Sequence, residues 1–443
     1  MAQFLARKMF FQVCAKIIED LKEIINSDDF LSQHRFSEED FSRDRKLPFQ
    51  RLIYYLINLN KRSYQDELDS FFKLINGHEI DEREVTKGAV CTARKKLKYE
   101  AFVDLNRHLN AMFYTYFNSR TWFGFNLLAF DGSTVRLPKS PEITNHFGVW
   151  KTKTGESCPV ARVSQMFDVV NKVSVDALIS PKSTGERDLA IEHLKITVKG
   201  DLVLLDRGYP AFWLFKKILS RQAEFCARIS NTKWKQVNKF FQSGKKEEIV
   251  FINPSYSAVK RCRELGLDTK PIPLRLVRIE LENGETEILI TSLTDPDLFP
   301  HSRFSALYHL RWPVEEDYKT MKCRIEVENF SGKSILSVNQ DFHAKIFSKN
   351  LTAVLSIPAK EVIRQESQNK QYEYQLNFTQ ALSRMKDTIV LLFTKAKPAV
   401  KDIIVKLHNI FVKTIEPIRP GRKYPRKSKV QRKGFYMCYK PIR

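Results

Sequence analysis

The chain has 443 residues, enough for two or three domains, and 43% of them are apolar, which is ample for a packed core. Its 74 Lys and Arg residues exceed its 51 Asp and Glu residues, and the formal net charge of +23 indicates a polyanionic partner such as nucleic acid. No apolar run of about 18 residues is present to span a bilayer, and the amphipathic N-terminal segment lacks the apolar stretch of a signal peptide.

The cysteines also restrict the class of protein. The chain has seven, which are scattered, odd in number and without any CxxC pair. This pattern argues against a zinc site or a disulfide framework and favours a reducing compartment. With no targeting signal in view, we expect a cytoplasmic location and no membrane partner.

Residues 1–115 are predicted to be helical because apolar residues recur at three- and four-residue spacing. Within them, an apolar stripe is formed by Val85, Ala89, Ala93 and Leu97, which leaves basic residues for the other faces. A short helix followed by a basic helix is what a helix-turn-helix reader of DNA requires. A basic surface helix of a bundle is the alternative. The candidate DNA contacts here are Arg94, Lys95 and Lys96.

From residue 116 the pattern changes to that of strands. An apolar run ends at Asp131, and a second one, Leu202–Leu205, ends at Asp206. Such runs are typical of buried strands that deliver an acid at one end. Two further strands joined as a hairpin lie between the runs, and two helices follow. The order β-β-β-α-β-α-β predicts an α/β layer built on a mixed sheet over residues 116–229.

The remaining regions differ in composition. Residues 230–300 are basic and rich in strand-forming residues, with a hairpin turn at Asn283-Gly284, and they predict a β-rich insertion. Residues 301–340 are predicted to return to the sheet layer. Residues 341–415 are predicted to be helical, as a candidate dimerisation region. Residues 416–443 hold ten Lys and Arg residues and one acid. They predict a basic tail that orders on nucleic acid, or a solubilising terminus.

The segment YHLRWPVEEDYKTMK, residues 308–322, carries an unusual set of polar side chains. At roughly 100° per residue, one helical face would collect four of them within about 60°: Tyr308, Arg311, Glu315 and Lys322. A carboxylate between cations on one face is able to bind a metal ion and to grip phosphates. An ordinary solvated helix with i,i+4 charge pairs is the alternative.

Pro313 complicates this segment, because proline is excluded from a helix interior but accepted in the first turn. The helix is therefore either kinked or begins near Trp312, so that the preceding turn delivers the residues before it. Glu316 and Asp317 also follow Glu315 directly, and only the spacing selects Glu315.

Three acids on three elements, Asp131, Asp206 and Glu315, are compatible with one chemistry. Cleavage or transfer of a phosphodiester is assisted by two divalent ions about 3.5–4 Å apart. Magnesium prefers carboxylate oxygens and keeps several waters, so two or three converging acids suffice at any sequence spacing. An acid at a strand end is also commonly a cap or turn residue.

The sequence resembles the DDE transposases of bacterial insertion sequences, in the insertion sequence 4 group that is marked by a YREK signature. The residues that carry the resemblance are Asp131 in AFDGS, Asp206 in LLDRGY, and Tyr308, Arg311, Glu315 and Lys322 in the spacing Y-x2-R-x3-E-x6-K. Trp312 and Lys319 also match the family's pattern around its glutamate. The resemblance extends over residues 85–350.

The resemblance implies a ribonuclease H-like core in which Asp131, Asp206 and Glu315 are catalytic and hold Mg²⁺, with Mn²⁺ as a substitute. It implies DNA contacts by the following residues: Tyr308, Arg311, Trp312, Lys319 and Lys322. It further implies cut-and-paste transposition through a DNA hairpin by a homodimer that pairs terminal repeats and joins them to target DNA. Trp312 or Trp234 is a candidate to stack on a displaced base.

Two other functions remain open from the sequence. A host-adapted, non-catalytic DNA-binding protein would have the same basic charge, but the intact acids argue against it. A metal-dependent nuclease would cut without joining, and it has less need of the Tyr308, Arg311 and Lys322 set that grips a cut end.

Overall fold

The computed structural model describes residues 2–151, 157–232, 234–281, 284–368 and 370–419. The described residues fall into two compact units. The first comprises the described residues within 2–118, 135–160 and 319–419, and the second comprises those within 119–134 and 161–318. The acidic residues predicted to be catalytic all lie in the second unit.

The helices are, in chain order, α1 (Ala2–Asn26), α2 (Asp28–His34), α3 (Phe49–Leu56), α4 (Tyr64–Asn76), α5 (Lys87–Arg94), α6 (Glu100–Tyr116), α7 (Pro141–Phe147), α8 (Glu186–His193), α9 (Phe212–Ser220), α10 (Lys235–Ser243), α11 (Tyr256–Glu264), α12 (Phe304–His309), α13 (Pro313–Lys319), α14 (Ile335–Leu355), α15 (Ile357–Ser367), α16 (Phe378–Met385), α17 (Thr388–Thr394) and α18 (Lys397–Lys413). A 3₁₀ turn, His301–Arg303, precedes α12, and a π-helical turn, Thr320–Arg324, follows α13.

The strands are β1 (Asn126–Arg136), β2 (Val149–Lys151), β3 (Ser157–Asp168), β4 (Val173–Pro181), β5 (Asp201–Leu205), β6 (Glu224–Ile229), β7 (Glu247–Ile252), β8 (Ile272–Glu280), β9 (Thr286–Thr291), β10 (Tyr374–Leu376) and β11 (Ile415–Pro417). The last two form a separate antiparallel pair in the first unit.

The first unit is mainly helical, which confirms the helical character predicted for both terminal regions. Its centre is α14, in which nearly every side chain is buried. The helix begins at a capping box, because the Ser334 and Ser337 side chains each satisfy the other's backbone N–H. Helix α6 packs against it, and Asn350 of α14 donates to Asn106 Oδ1 of α6 at 2.8 Å. Apolar burial on both helices stabilises this unit.

The second unit is built on a mixed sheet, as the sequence predicts. The strand order is β2-β3-β1-β5-β6-β9-β8-β7, and β4 pairs with β3. Strands β1, β5 and β6 are parallel, whereas β3 and β4 form the predicted antiparallel hairpin. Helices α8 to α11 contribute to one apolar cluster with the sheet. The β4-β3-β1-β5-β6 arrangement with its two connecting helices is the ribonuclease H-like core, and the predicted fold class is confirmed.

The β-rich insertion extends this sheet, which differs from the separate subdomain that the sequence predicts. Strand β9 pairs with β6 and β8, and β7 forms the edge. The insertion therefore buries its apolar residues in the same cluster as the core. The β8–β9 hairpin is antiparallel, with Glu280 opposite Thr286. Its predicted turn residue Asn283 lies outside the described residues.

The segment that carries Tyr308 to Lys322 is not one continuous helix. Helix α12 ends at His309, and α13 begins at Pro313. Proline is accepted at a first helical position, where its missing N–H is not needed. The second of the two sequence alternatives is therefore confirmed, and a single face from Tyr308 to Lys322 is wrong.

Two further predictions concern the basic C-terminal tail and the membrane, and the structure describes only part of the tail. Of the predicted basic tail, residues 420–443 lie outside the described part of the chain. Among the helices that the structure describes, none is long and apolar enough to cross a membrane.

Candidate active site

The two aspartates lie side by side because of the sheet register. Strands β1 and β5 are parallel neighbours, with Phe130 opposite Leu205. Asp131 and Asp206 each follow that pair by one residue. Parallel neighbours are about 5 Å apart across a sheet, so both acids emerge at the same edge. The apolar residues that precede them are fully buried, which fixes both strand ends.

Asp131 is the more buried of the two aspartates. Strand β1 continues through it, and its backbone carbonyl accepts a hydrogen bond of 2.8 Å from the Tyr318 hydroxyl. Burial raises the pKa of the Asp131 carboxyl from 3.8 to about 6, while Arg311 and the Gly132 N–H act in the opposite direction. Glu315 and Asp206 raise it further by repulsion, which indicates that the three acids are electrostatically coupled.

Asp206 is accompanied by an arginine on the neighbouring strand. The Nη2 atom of Arg228, on β6, lies 3.3 Å from Asp206 Oδ1, and Arg228 also pairs with Glu287. The loop after Asp206 is anchored by Arg187, whose Nε and Nη2 donate to the Gly208 carbonyl at 3.1 and 2.7 Å. The acid is thus held on a fixed loop next to a cation.

Glu315 lies in the first turn of α13 and is paired with Arg311. Arg311 Nη2 donates to Glu315 Oε1 at 2.6 Å. The arginine is 5% exposed, whereas 39% of the glutamate side chain is exposed. Its guanidinium also lies 5.9 Å from the centre of the Tyr308 ring. A buried guanidinium therefore holds the carboxylate while leaving one side of it open.

The structure separates Glu315 from the two acids that follow it. Glu316 is exposed, and Asp317 is buried. The Gln165 side chain donates to Asp317 Oδ2 at 2.8 Å, which ties α13 to strand β3. Asp317 thus holds the helix on the sheet, and Glu315 remains the acid that the Asp131 carboxyl senses.

Several buried polar atoms around the acids have no hydrogen-bond partner within the described part of the chain. They are Asp206 Oδ1, Tyr209 OH, Arg228 Nε, Tyr308 OH, Arg311 Nε and Arg162 Nε. Buried donors and acceptors are normally satisfied, so a cluster of unsatisfied ones indicates a ligand-binding site. Five of the six atoms are donors or hydroxyls, which favours an anionic ligand such as phosphate.

The other residues predicted in this segment are placed differently. Trp312 is 49% exposed and stacks near His309, at 6.2 Å between ring centres. Lys319 is exposed at the end of α13, and Lys322 lies part-buried in the π-helical turn. Both lysines belong to the first unit. Their contact with DNA stays a prediction.

The structure contradicts a DNA contact by Arg94. Its side chain is 5% exposed and forms an ion pair with Asp341 at 2.8 Å, and it also donates to Gln340 and to the Ser337 carbonyl. Val90, rather than Ala89, is buried with it on α5. The predicted apolar stripe is therefore wrong in register, because an arginine occupies a core position.

The neighbouring lysines remain candidates. Lys95 is exposed, and Lys96 pairs with Asp40 at 2.9 Å. Trp234, suggested as a stacking residue, instead packs edge-on against Phe215 at 5.8 Å as part of the sheet's apolar cluster. Its position favours a role in the core.

Sequence reasoning missed four residues around the acids: Arg162, Glu186, Tyr209 and Arg228. Glu186 begins α8, and its carboxylate pairs with Arg162 at 2.8 Å. Tyr209 stands in the LLDRGY motif, three residues after Asp206, and this position was the available signal. Arg228 lies near the end of the apolar strand β6 and carries the opposite charge to the aspartates.

The donor set suits a divalent cation in part. Asp131, within β1, and Asp206, directly after β5, present carboxylate oxygens from neighbouring parallel strands. Mg²⁺ is often held by one or two carboxylates with its remaining positions filled by water or substrate phosphate. Across the described residues, no three His, Cys, Asp or Glu side chains are close enough together to hold one ion. Glu315 is paired with Arg311 instead, so it would join the ion only on leaving that pair.

Comparisons with known proteins identify the family of this chain. The family described as the transposase DDE domain matches residues 122–351. The chain is 22% identical over 392 residues to the transposase InsG for insertion sequence element IS4 of Escherichia coli strain K12, which covers 87% of this chain and 86% of that protein. It also matches a cryo-EM structure of the piggyBac transposase synaptic complex with hairpin DNA, at 11% identity and a TM-score of 0.44, over 88% of this chain and 85% of that chain.

The family match includes more than half of the chain and contains Asp131, Asp206 and Glu315. The chain therefore belongs to the DDE-domain transposases, enzymes that cleave and join DNA strands with the help of divalent metal ions. The resemblance seen in the sequence is confirmed, and so is the class of enzyme.

Proposed function

We propose that this transposase cleaves the ends of its own mobile element and joins them to target DNA, with Asp131, Asp206 and Glu315 as its catalytic acids. The observation that carries the proposal is the shared register position of the two aspartates on β1 and β5. Glu315, in the first turn of α13, is coupled electrostatically to Asp131. Such a set of carboxylates is suited to phosphoryl transfer.

The proposed reaction has a cleavage step and a joining step, and in the joining step one phosphodiester bond forms for each one that breaks. In cleavage, a water oxygen attacks phosphorus at the element end, and the 3′ oxygen leaves and takes a proton. In joining, the freed 3′ oxygen attacks a target phosphate and loses its proton, while the target's own 3′ oxygen leaves. Mg²⁺, or Mn²⁺ in its place, would activate the attacking oxygen and stabilise the leaving one when bound by Asp131 and Asp206.

The protein's own donors hold the DNA strand in this proposal. The Tyr308 hydroxyl and Arg311 Nε are buried and lack a hydrogen-bond partner among the residues described. Each would donate to a phosphate oxygen near the cut. Charge-assisted bonds from arginine to phosphate are among the stronger hydrogen bonds in proteins. Trp312, half exposed on the same segment, is the candidate to stack on a displaced base.

The test compares wild type with Glu315→Gln and with Glu316→Gln, a neighbouring acid that is more exposed. Each full-length protein is incubated with Mg²⁺ and the DNA that flanks its own gene, and products are separated on a denaturing gel. Wild type and Glu316→Gln should release cut ends and form joined product. Glu315→Gln should lose at least about 10³-fold in rate. Equal cleavage by Glu315→Gln would refute its assignment.

The same gel separates the alternative functions. A non-catalytic DNA-binding protein would retard the DNA without cutting it, and a nuclease would cut it without a joined product. A hairpin on the element end migrates as a distinct denatured species, and its appearance would support the cut-and-paste pathway through a hairpin. The gel can separate these functions because they differ in the DNA products that they form.

We also propose that the enzyme acts as a homodimer on two paired terminal repeats, in the bacterial cytoplasm at the nucleoid. Two element ends must be cut and joined together, and one active site serves each end in the simplest arrangement. The net charge of +23 supports association with DNA. Light scattering of the complex with end DNA should give two protein copies for two ends. One copy on both ends would contradict the dimer.

A further inference from the structure

A fourth acid, Glu186, lies close to the residues that follow both aspartates, of which Asp131 is within β1 and Asp206 directly follows β5. Its carboxylate packs on Gly132, the residue after Asp131, so that a Cβ at that glycine would lie 3.1 Å from Glu186 Oε1. The other carboxylate oxygen would lie 3.8 Å from a Cβ at Gly208, two residues after Asp206. The glycines therefore make room for this carboxylate on the side of both strand ends.

A buried hydroxyl points into the same group of acids. Tyr209 is 2% exposed, and its OH atom has no hydrogen-bond partner from any residue that the structure describes. Burial raises the pKa of Tyr209, and repulsion from Asp131, Glu186 and Asp206 raises it further. The buried hydroxyl therefore remains protonated and able to donate a hydrogen bond.

Arg162 balances part of this charge. Its Nη1 atom donates to Glu186 Oε1 at 2.8 Å, while 43% of the Glu186 side chain remains exposed. The four acids Asp131, Asp206, Glu186 and Glu315 still outnumber the three arginines that accompany them, Arg162, Arg228 and Arg311, so a net negative charge remains. A cation with its own water shell would lower the repulsion, and an unsatisfied hydroxyl would gain a partner from that shell.

We propose that Glu186 is a fourth acid of the active site, and that its carboxylate and the Tyr209 hydroxyl bind the waters of a divalent cation held by Asp131 and Asp206. The inference rests on the proposed function in one respect, that the two aspartates hold the ion. Contacts to metal-bound water need no third carboxylate in direct contact with the ion. This agrees with the absence, among the described residues, of three side chains grouped to hold one.

The test measures Mn²⁺ binding by the full-length protein without DNA, from the loss of the free-ion signal in electron paramagnetic resonance. Variants are Glu186→Gln, Tyr209→Phe and Asp131→Asn, with Glu192→Gln as the matched control on the same helix. Glu192 is 49% exposed and pairs with Lys195. Glutamine still accepts the bond from Arg162, so the Glu186 variant should keep its fold, and thermal melting checks this.

Glu186→Gln should weaken Mn²⁺ binding about tenfold, and Tyr209→Phe roughly threefold, as outer contacts to metal-bound water typically do. Glu192→Gln should bind as wild type does. If Asp131→Asn weakens binding and the Glu186 and Tyr209 variants do not, the inference is overturned while the proposed catalytic site survives. If Asp131→Asn binds Mn²⁺ as wild type does, both are overturned.

DNA cleavage by wild type is scored separately. Loss of Mn²⁺ affinity in Glu186→Gln together with an inactive wild type would support the fourth acid and reject the proposed reaction. The two measurements therefore distinguish failure of the inference about Glu186 from failure of the proposed reaction.

Discussion

The guanidinium of Arg311 holds the carboxylate of Glu315 one helical turn away, with 2.6 Å between Nη2 and Oε1. The arginine is buried, and the same guanidinium lowers the pKa of the Asp131 carboxyl. It therefore offsets part of the negative charge of the acids in the protein without metal or DNA. A cation that enters the site has to compete with Arg311 for the Glu315 carboxylate. A phosphate has to compete with Glu315 for the Arg311 guanidinium.

Replacing Arg311 by glutamine should change metal binding and DNA cleavage in opposite directions. Removing the positive charge leaves Glu315 and Asp131 more attractive to a divalent ion, so the Mn²⁺ affinity should rise about three- to tenfold at pH 8. Loss of the phosphate contact should lower the cleavage rate at least tenfold. Mn²⁺ titration and the denaturing gel measure the two effects.

The control is Arg303→Gln, because Arg303 is exposed eight positions earlier. It should change neither quantity more than about twofold, since surface charges act weakly. Weaker Mn²⁺ binding by the Arg311 variant would show that the arginine supports the ion and does not compete with it.

Arg94→Ala should destabilise the protein without a specific effect on DNA contacts. The substitution leaves Asp341 buried and unpaired in the first unit, and breaking a buried pair from one side costs about 3–5 kcal/mol in the free energy of unfolding. Urea denaturation measures this loss. Wild-type stability would contradict the buried pair.

Lys95→Ala is the matched comparison, one residue further along the chain. The lysine is exposed, so the free energy of unfolding should change by less than about 0.5 kcal/mol. If Lys95 contacts a phosphate, the variant should bind DNA more weakly. The slope of the logarithm of the binding constant against the logarithm of salt concentration should then fall in magnitude by about one. An unchanged salt dependence would remove Lys95 from the interface.

Arg94 shows what local sequence patterns omit. The pattern around α5 treats an arginine as a surface residue, but this one is satisfied by Asp341, 247 positions away. Long-range pairing of that kind has no local signal. The apolar strands before Asp131 and Asp206 were predictable because continuous apolar runs ending at a polar residue are strong local signals. Their common register, Phe130 opposite Leu205, was not.

The same limit applies to the insertion and to the fourth acid. Strand content in residues 230–300 was readable from composition, but the pairing of β9 with β6 depends on contacts across the fold. Glu186 resembles any acid in the first turn of a helix, where the helix dipole favours a negative charge. Only the fold shows that it packs on Gly132.

Tyr318→Phe should weaken the link between α13 and the catalytic strand. The Tyr318 hydroxyl donates to the Asp131 carbonyl at 2.8 Å and is buried. Its removal leaves that carbonyl without this bond and should cost about 1–2 kcal/mol in the free energy of unfolding. The cleavage rate should also fall, because Glu315 and Asp131 are then no longer held at a fixed distance from each other. Tyr256→Phe, at a residue 92% exposed, is the control and should change neither.

The raised pKa of Asp131 makes the stability of the metal-free protein depend on pH. Its carboxyl titrates near pH 6 in the folded chain, against 3.8 as the ordinary value. Between these values the folded state binds more protons than the unfolded state. The free energy of unfolding should therefore fall as pH rises through this window, by roughly 3 kcal/mol from this group at pH 7.

The amide in Asp131→Asn has no proton to lose, so residue 131 of this variant should contribute a constant amount to the free energy of unfolding across the same pH window. We expect the variant to be more stable than wild type at pH 7 and the difference to shrink towards pH 4, as measured by urea denaturation at each pH in the presence of a chelator. Adding Mg²⁺ at pH 7 should raise the stability of wild type and leave the variant nearly unchanged, because the ion replaces the missing proton among the acids. Parallel curves for the two proteins with and without Mg²⁺ would show that Asp131 neither titrates with a raised pKa nor binds the ion.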